Sequence, residues 1–356
     1  MPKMIEKYVK TLGKHFIVWF LAFIFWAIMR EFDNDIVRPE GPETLSILQR
    51  LRFHFSLGVV ASLAFGSLEY LIDRYVYKRT SFGRALLIGS FAYLLAIILL
   101  VTFGFTAFVR ISDMNMDWGL YRDYVFSGEM VLLIFYCFLV GTFIDTFKEI
   151  DKKFGPGNLW KMIKGEFYNP KEENRIFMFL DLKNSTGIAE ALGHKRYSRL
   201  IQSCFHDVSE LIPRFKASIY QYVGDEIVLS WHVEDGLKEL TCLHFYFAYR
   251  DKLISKTAYY QKNFGLVPEF KAGLEMGPVM VAEVGDIKRE IAYHGDVLNT
   301  AARIQGCCNT YGKQLLISEN LEQSLKDLLS NSPELLGDLQ LNGKQKSIHV
   351  YAVDDL

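Results

Sequence analysis

The feature that most constrains this chain is a succession of four apolar stretches in its first 150 residues, at roughly 16–29, 53–72, 85–109 and 125–147. Each is at or near the length that carries an α-helix across about 30 Å of hydrocarbon at about 1.5 Å per residue. The first is the shortest, and residues 11–15 can extend it. A single such stretch could be a buried core helix, and the first could be a cleaved signal peptide. Four in succession argue against a soluble core, and Met29 is followed by Arg30-Glu31-Phe32-Asp33, with no small-residue cleavage site. The expectation is an α-helical transmembrane domain over residues 1–150.

Charge orients it. Lys3, Lys7, Lys10 and Lys14 precede the first span, Arg74, Lys78, Arg79 and Arg84 separate the second from the third, and Lys148, Lys152 and Lys153 follow the fourth. The other two loops are mixed or acidic, so the excess of basic residues puts both termini on the cytoplasmic side of a multi-pass cell-membrane protein. Trp19, Trp26, Tyr70, Tyr75, Tyr121 and Tyr124 are expected near span ends, where an amphipathic ring is favoured. Glu69, Asp73 and Glu129 fall within or at the edges of spans. Such carboxylates are candidates for a ligand or ion role, with a plain interfacial position as the alternative. The loops are short, so an unidentified ligand of this domain would bind among the helices. Small residues over 62–67 allow close helix approach and dimerisation through the spans.

The net charge of −1 gives no sign of nucleic-acid binding. Five cysteines without metal-like spacing argue for a reduced cytosolic domain with no disulfide framework.

After a connector over 151–173, opened by the helix-breaking run Asp151-Lys152-Lys153-Phe154-Gly155-Pro156-Gly157-Asn158, the pattern becomes alternating strand and helix over 174–356. The strand over 176–181 ends on Asp181. One or two helices follow to about 212, broken at Gly193. Strands 218–223 and 227–232 flank Gly224-Asp225-Glu226, a hairpin signal that puts Asp225 at a tip. One long helix is expected over 236–262, then strands 270–275 and 279–284 separated by Gly277-Pro278. A short strand at 290–293 leads into a helix carrying Asn299 and Arg303. A strand over 314–318, a short helix and a terminal strand pair complete the pattern. Strand, helices, hairpin, helix and strand in this order make an α+β ferredoxin-like, palm-type core.

In that core Asp181 and Asp225 can converge. Two carboxylates suit Mg²⁺, which takes a few hard oxygen ligands and leaves other positions to water and phosphate. Asn299 and Arg303 are four apart and so share a helix face, where a planar guanidinium matches a phosphate. Taken singly, the aspartates are equally what solvated turns carry, and the Asn/Arg pair what a helix surface carries.

Phe179-Leu180-Asp181-Leu182-Lys183-Asn184-Ser185-Thr186, Tyr222-Val223-Gly224-Asp225-Glu226 and the block from Tyr293-His294-Gly295-Asp296 through Asn299 to Arg303 resemble the catalytic domain of class III adenylate/guanylate cyclases. The resemblance covers about residues 174–353. It implies a head-to-tail homodimer with its sites at the interface, two ions of Mg²⁺ or Mn²⁺ per site, and attack of the ribose 3′-hydroxyl on the α-phosphate of ATP to give cyclic AMP and pyrophosphate. By that likeness Asp181, Asp225 and the Leu182 carbonyl hold the metals, while Asn299 and Arg303 from the other subunit orient the ribose and stabilise the transition state.

The sequence departs from the family at the base-reading positions. Gln221 stands where adenylyl cyclases carry lysine, and Ala292 where they carry Asp or Thr, so GTP remains the alternative to ATP. Asn342 aligns with the family's phosphate lysine; Lys344 either takes over that role or is a solvated lysine. His294 is either a substrate contact or a packing residue. Two rival readings stand beside this one. A diguanylate cyclase shares the core but ends its hairpin in Gly-Gly-Asp/Glu-Glu-Phe, against Val223-Gly224-Asp225-Glu226-Ile227 here. A non-catalytic nucleotide-binding output domain would tolerate Ala292 and Asn342.

Overall fold

The computed structural model describes residues 2–37, 47–75, 82–111, 117–155, 157–329, 332–340 and 347–356, and the chain divides into two compact units, Met1–Glu149 and Ile150–Leu356.

The first unit is helical: α1 (Pro2–Val37), α2 (Ile47–Tyr75), α3 (Phe82–Ile111), α4 (Trp118–Val125) and α5 (Gly128–Phe154), the last running on into the second unit. Three segments within these helices are long and apolar enough to cross a membrane: Tyr8–Met29, Phe55–Ile72 and Met130–Lys148. The third expected span corresponds to α3, whose apolar segment among the described residues is the shorter Phe91–Thr106. Phe23, Phe65, Ile97, Leu100 and Cys137 from four helices form a shared interior, while Phe91, Leu99, Phe138 and Phe143 point outward.

Trp19 is fully buried within the helices, its ring stacked on Phe65 with centroids 4.3 Å apart. The small residues of α2 serve contacts within the chain: a Cβ on Gly66 would meet Leu12 Cδ2 at 2.9 Å, and one on Gly58 would meet Phe20 Cα at 3.4 Å, so α1 seats directly on them. Glu69 bridges three helices, accepting from Lys148 Nζ at 2.9 Å through one oxygen and lying 2.7 Å from His15 Nε2 through the other. A carboxylate withdrawn from water needs such partners. The side chains of Asp73 and Glu129 lie outside the described residues.

The second unit begins with the end of α5 and α6 (Asn158–Ile163). The helix break falls at Gly155, after 151–154 have continued α5. Then come β1 (Lys171–Leu182), α7 (Ser185–Ser209), β2 (Ser218–Val223), β3 (Glu226–His232), α8 (Val233–Leu237), α9 (Thr241–Ser255), α10 (Thr257–Phe264), β4 (Phe270–Val284), β5 (Glu290–His294), α11 (Asp296–Gly306), α12 (Cys308–Tyr311), β6 (Leu315–Ser318), α13 (Glu319–Leu325), β7 (Glu334–Gln340) and β8 (Ser347–Ala352). The strands form one sheet in the order β2-β3-β1-β4-β6-β8-β7, with β5 paired to β4. Its first four strands have the ferredoxin-like order, β1 lying between β3 and β4.

Alternation along β1 divides the core. Ile176, Met178, Leu180 and Leu182 face Leu200, Cys204, Phe245 and Tyr249 of α7 and α9, whereas Phe177 and Phe179 join Val297 and Ala301 of α11 in a separate cluster. Asp181 has the parity of that second set and so projects toward α11.

Three boundaries differ from expectation. β1 starts at Lys171, inside the expected connector, because Lys171–Glu173 find partners at Val281–Val279 of β4. β4 is one strand: between Leu274, the last residue paired with β6, and Met280, the first paired with β5, that edge has no ladder partner, which is where a proline without an N–H is tolerated. The expected helix over 236–262 is broken at Glu239 and Leu240, whose φ values are 52° and 53°, and again at Lys256. Around Gly193 the structure follows the sequence, with φ 68° and ψ 160° kinking α7.

Candidate active site

Asp181 and Asp225 meet because β1 and β3 pair antiparallel up to Leu180 and Ile227, so the end of β1 lies beside the Gly224-Asp225 turn. Gly224 has φ 62°, and the turn it permits carries the second carboxylate to the first. The two feel each other. Burial raises the Asp181 pKa, the charge of Asp225 raises it further, and Lys271 and Gln305 work against the rise. Lys271 faces Asp181 in the β1–β4 register, with Nζ 3.4 Å from Oδ2, and Gln305 Nε2 donates to the same oxygen at 3.1 Å. Glu226 is pushed up to about 7 by burial and then by the charges of Asp181 and Asp225. Burial and the Asp225 charge also raise the phenol of Tyr197.

Asp225 Oδ2 is buried and accepts no hydrogen bond. A carboxylate oxygen without a protein donor costs free energy unless a cation, a proton or water satisfies it. Among the described residues no group of three or more His, Cys, Asp or Glu is assembled into a protein-only metal cage. Two carboxylates with one orphaned oxygen fit a hard divalent ion that completes its shell with water and phosphate. The side chain of Leu182 is packed in the core, which leaves its backbone carbonyl as the group it can offer.

Asn299 and Arg303 do not join this pair. On α11 the residues Val297, Thr300, Ala301, Ile304 and Gln305 are buried, whereas Asn299 and Arg303 are exposed. At about 100° per residue both stand well over a quarter turn from Gln305, the residue of this helix that touches Asp181. Within one chain the two pairs are therefore directed apart. Gln221 on β2 and Ala292 on β5 are likewise separated, with β3, β1 and β4 between their strands. His294 ends β5 opposite Met280 and is exposed. Asn342 and Lys344 lie outside the described residues.

Sequence reasoning missed Lys271, Gln305, Tyr197 and Gly273. Lys271 and Gln305 each carried a cue, an isolated cation opening an apolar strand and an amide two residues past Arg303. Gly273 matters through what it lacks: a Cβ there would lie 2.2 Å from Gln305 N and 2.7 Å from the Ala301 carbonyl oxygen, so α11 rests directly on the β4 backbone.

Residues 167–354 match the family described as the adenylate and guanylate cyclase catalytic domain. The chain is 31% identical over 192 residues to adenylate cyclase 2 of Rhizobium meliloti (strain 1021), a match covering 54% of this chain and 53% of that protein. It is 26% identical over 183 residues to an adenylate cyclase of Anabaena cylindrica, covering 49% of this chain and 36% of that one. The chain thus spans about half the length, or less, of these curated relatives. A solved structure of a bacterial light-regulated adenylyl cyclase shares the fold, with a TM-score of 0.53 at 18% identity over 64% of this chain and 66% of that one.

Proposed function

The chain belongs to the adenylate and guanylate cyclase catalytic-domain family, and on that premise we propose that it is a membrane-anchored adenylate cyclase converting ATP to 3′,5′-cyclic AMP and pyrophosphate. The observation that carries the reading is the division of the polar residues: Asp181 and Asp225 at one strand end, Asn299 and Arg303 on the face of α11 turned away from them. A head-to-tail homodimer unites the two halves, with Asp181 and Asp225 from one copy opposite Asn299 and Arg303 from the other.

Asp181, Asp225 and the Leu182 carbonyl would hold two divalent ions, Mg²⁺ or Mn²⁺, which when bound acidify the ribose 3′-hydroxyl and neutralise phosphate charge. Asn299 of the second copy holds the ribose so that its 3′-oxygen lies in line with the α-phosphorus. Arg303 of that copy places its guanidinium where negative charge grows as the new P–O bond forms and the bond to the β-phosphate oxygen breaks. Pyrophosphate leaves with that bonding pair. Lys271 holds Asp181 in place, and its positive charge opposes the rise in the Asp181 pKa, favouring the ionised, ligating form.

Gln221 and Ala292 stand at the base-reading positions. The Gln221 amide both donates and accepts, as the adenine edge requires, whereas Ala292 contributes shape alone. The helical unit is the membrane anchor: large apolar side chains such as Phe91 and Phe143 face outward, while the polar cluster of His15, Glu69 and Lys148 is turned inward. With the positive-inside pattern this puts the catalytic unit in the cytoplasm.

The purified full chain, supplied with Mg²⁺ or Mn²⁺, is expected to make cyclic AMP from ATP, and Asp225→Ala to abolish it. Cyclic GMP or cyclic di-GMP from GTP as the main product, or no product from either nucleotide, refutes the proposal. Mixed dimers of Asp181→Ala and Arg303→Ala chains should regain activity, since each contains one intact site. Silent mixed dimers would disprove the divided site.

A further inference from the structure

The chain leaves α5 in a way that keeps the connector beside it. The apolar segment Met130–Lys148 ends at Lys148, and α5 continues to Phe154, a rise of about 9 Å. Gly155 and Gly157 then take φ values of 90° and 83°, and the chain reverses. The Gly157 N–H donates to both oxygens of Asp151, at 3.0 and 3.3 Å, and Asn158 Nδ2 donates to the Phe154 carbonyl at 2.8 Å. Residue 157 is thus pinned to a residue less than one helical turn past Lys148, and α6 starts alongside the end of α5 instead of beyond it. The polar layer of a bilayer is roughly 5–8 Å deep on each side of the hydrocarbon, so α6 begins within or next to it.

What α6 exposes there suits that layer. Trp160 and Ile163, one turn apart, are 56% and 60% exposed, and Tyr168 just beyond is 82% exposed. Lys164 is exposed beside them, its Nζ 5.6 Å from the centroid of the Trp160 ring, and Lys161 is half-buried. Over residues 148–164 five lysines stand against Glu149 and Asp151, and Asp151 is engaged by Gly157. The other side of the connector belongs to the catalytic unit: Met162 packs with Phe167, and the Phe167 carbonyl accepts from Glu283 N–H of β4 at 3.0 Å.

We infer that α6 is an interfacial anchor, with Trp160, Ile163 and Tyr168 seated in the headgroup layer of the bilayer and Lys161 and Lys164 selecting anionic phospholipid. Amphipathic aromatics are favoured at that depth, and juxtamembrane lysines are drawn to anionic lipid. The inference rests on the membrane-anchored reading. It means that the segment holding β4 also touches lipid, so the lipid composition of the membrane reaches the catalytic unit through α6.

The test uses the full chain in nanodiscs of phosphatidylcholine with roughly one-third phosphatidylglycerol. A nitroxide is attached at Ile163→Cys, with Leu139→Cys, inside an apolar segment, and Ile287→Cys, on an exposed loop, as lipid and water references. Four of the five native cysteines are buried, and labelling of the unsubstituted chain corrects for the fifth. The label at 163 should collide with oxygen several-fold more than the label at 287 does, relative to a water-soluble nickel chelate. That preference should disappear in pure phosphatidylcholine and in the Lys161→Glu/Lys164→Glu chain. A water-like signal at 163 beside a lipid-like signal at 139 overturns the anchor while leaving the membrane reading intact. Water-like signals at both overturn both. A lipid-like signal at 163 that survives charge reversal overturns the assignment to anionic lipid.

Discussion

Substituting Gly273 by alanine adds one methyl group where two elements of the site touch. The new carbon would lie 2.2 Å from Gln305 N, 2.6 Å from Gln305 Cα and 2.7 Å from the Ala301 carbonyl oxygen, all backbone atoms. No rotamer change can clear it. Either α11 lifts from the sheet by about 1 Å or β4 bends away, because interiors are packed too densely to absorb the atom. The overpacking cost is about 1–3 kcal/mol, which for a unit of this size lowers the melting temperature by roughly 2–12 °C. The same displacement stretches the 3.1 Å bond from Gln305 to Asp181 beyond hydrogen-bonding range and carries Asn299 and Arg303 with the helix. A misplacement of about 1 Å in a positioned catalytic group costs on the order of 10²-fold in rate. Thermal unfolding and cyclic AMP formation, measured on Gly273→Ala and on Gly306→Ala, whose Cβ would meet nothing within 4 Å, separate this effect from a general loss of helix quality. A Gly273→Ala chain with unchanged melting temperature and turnover would show that α11 does not rest on β4 as described.

Two further outcomes follow from the charged groups. Arg175 is buried and donates to Glu173 at 2.8 Å and to Ser230 at 3.0 Å, so Arg175→Met should cost about 3 kcal/mol at neutral pH. Burial works to raise the Glu173 pKa, but the bond and charge of Arg175 outweigh it and hold it below the ordinary 4.5; its contribution is present above that value and lost as pH falls. His232, held below its ordinary 6.5 by burial and then Arg175, changes stability in the same direction, so denaturation curves of wild type and variant should converge toward acid pH; a gap constant from pH 7 to 4 contradicts this. Mg²⁺ or Mn²⁺ added without nucleotide should raise the melting temperature of the wild type, by an equivalent of about 2.7 kcal/mol at a hundred-fold excess over Kd. Asp225→Asn should remove that response and, without metal, melt above the wild type, because Asp181 loses a repelling neighbour.

What was legible in the sequence was local. Asp181 could be placed at a strand end by the apolar run before it, and Asp225 at a hairpin tip by Gly224, since both depend on a few adjacent residues. Punctuation misled where long-range pairing overrode it: Gly277-Pro278 interrupts a run of apolar residues, yet β1 pairs with β4 straight through it. The helix after 236 broke at Glu239 and Leu240, which carry no glycine or proline signal. Lys271, Gln305 and Gly273 became visible only once β1, β4 and α11 were stacked, because their roles depend on residues far away in the chain. Glu69 was identifiable as unusual from its apolar surroundings, but its partners came from two other helices.

The outward-facing Asn299 and Arg303 carry a kinetic consequence. If neither half-site can turn over alone and the chain is anchored in the membrane as proposed, output scales with encounters between chains, so at low occupancy doubling the number of molecules per unit area of membrane quadruples product formation. Dilution into excess lipid would then silence the enzyme without unfolding it. A copy damaged in one half would not poison its partner, since the pair keeps one intact site, whereas a copy damaged in both halves would silence every working chain it pairs with.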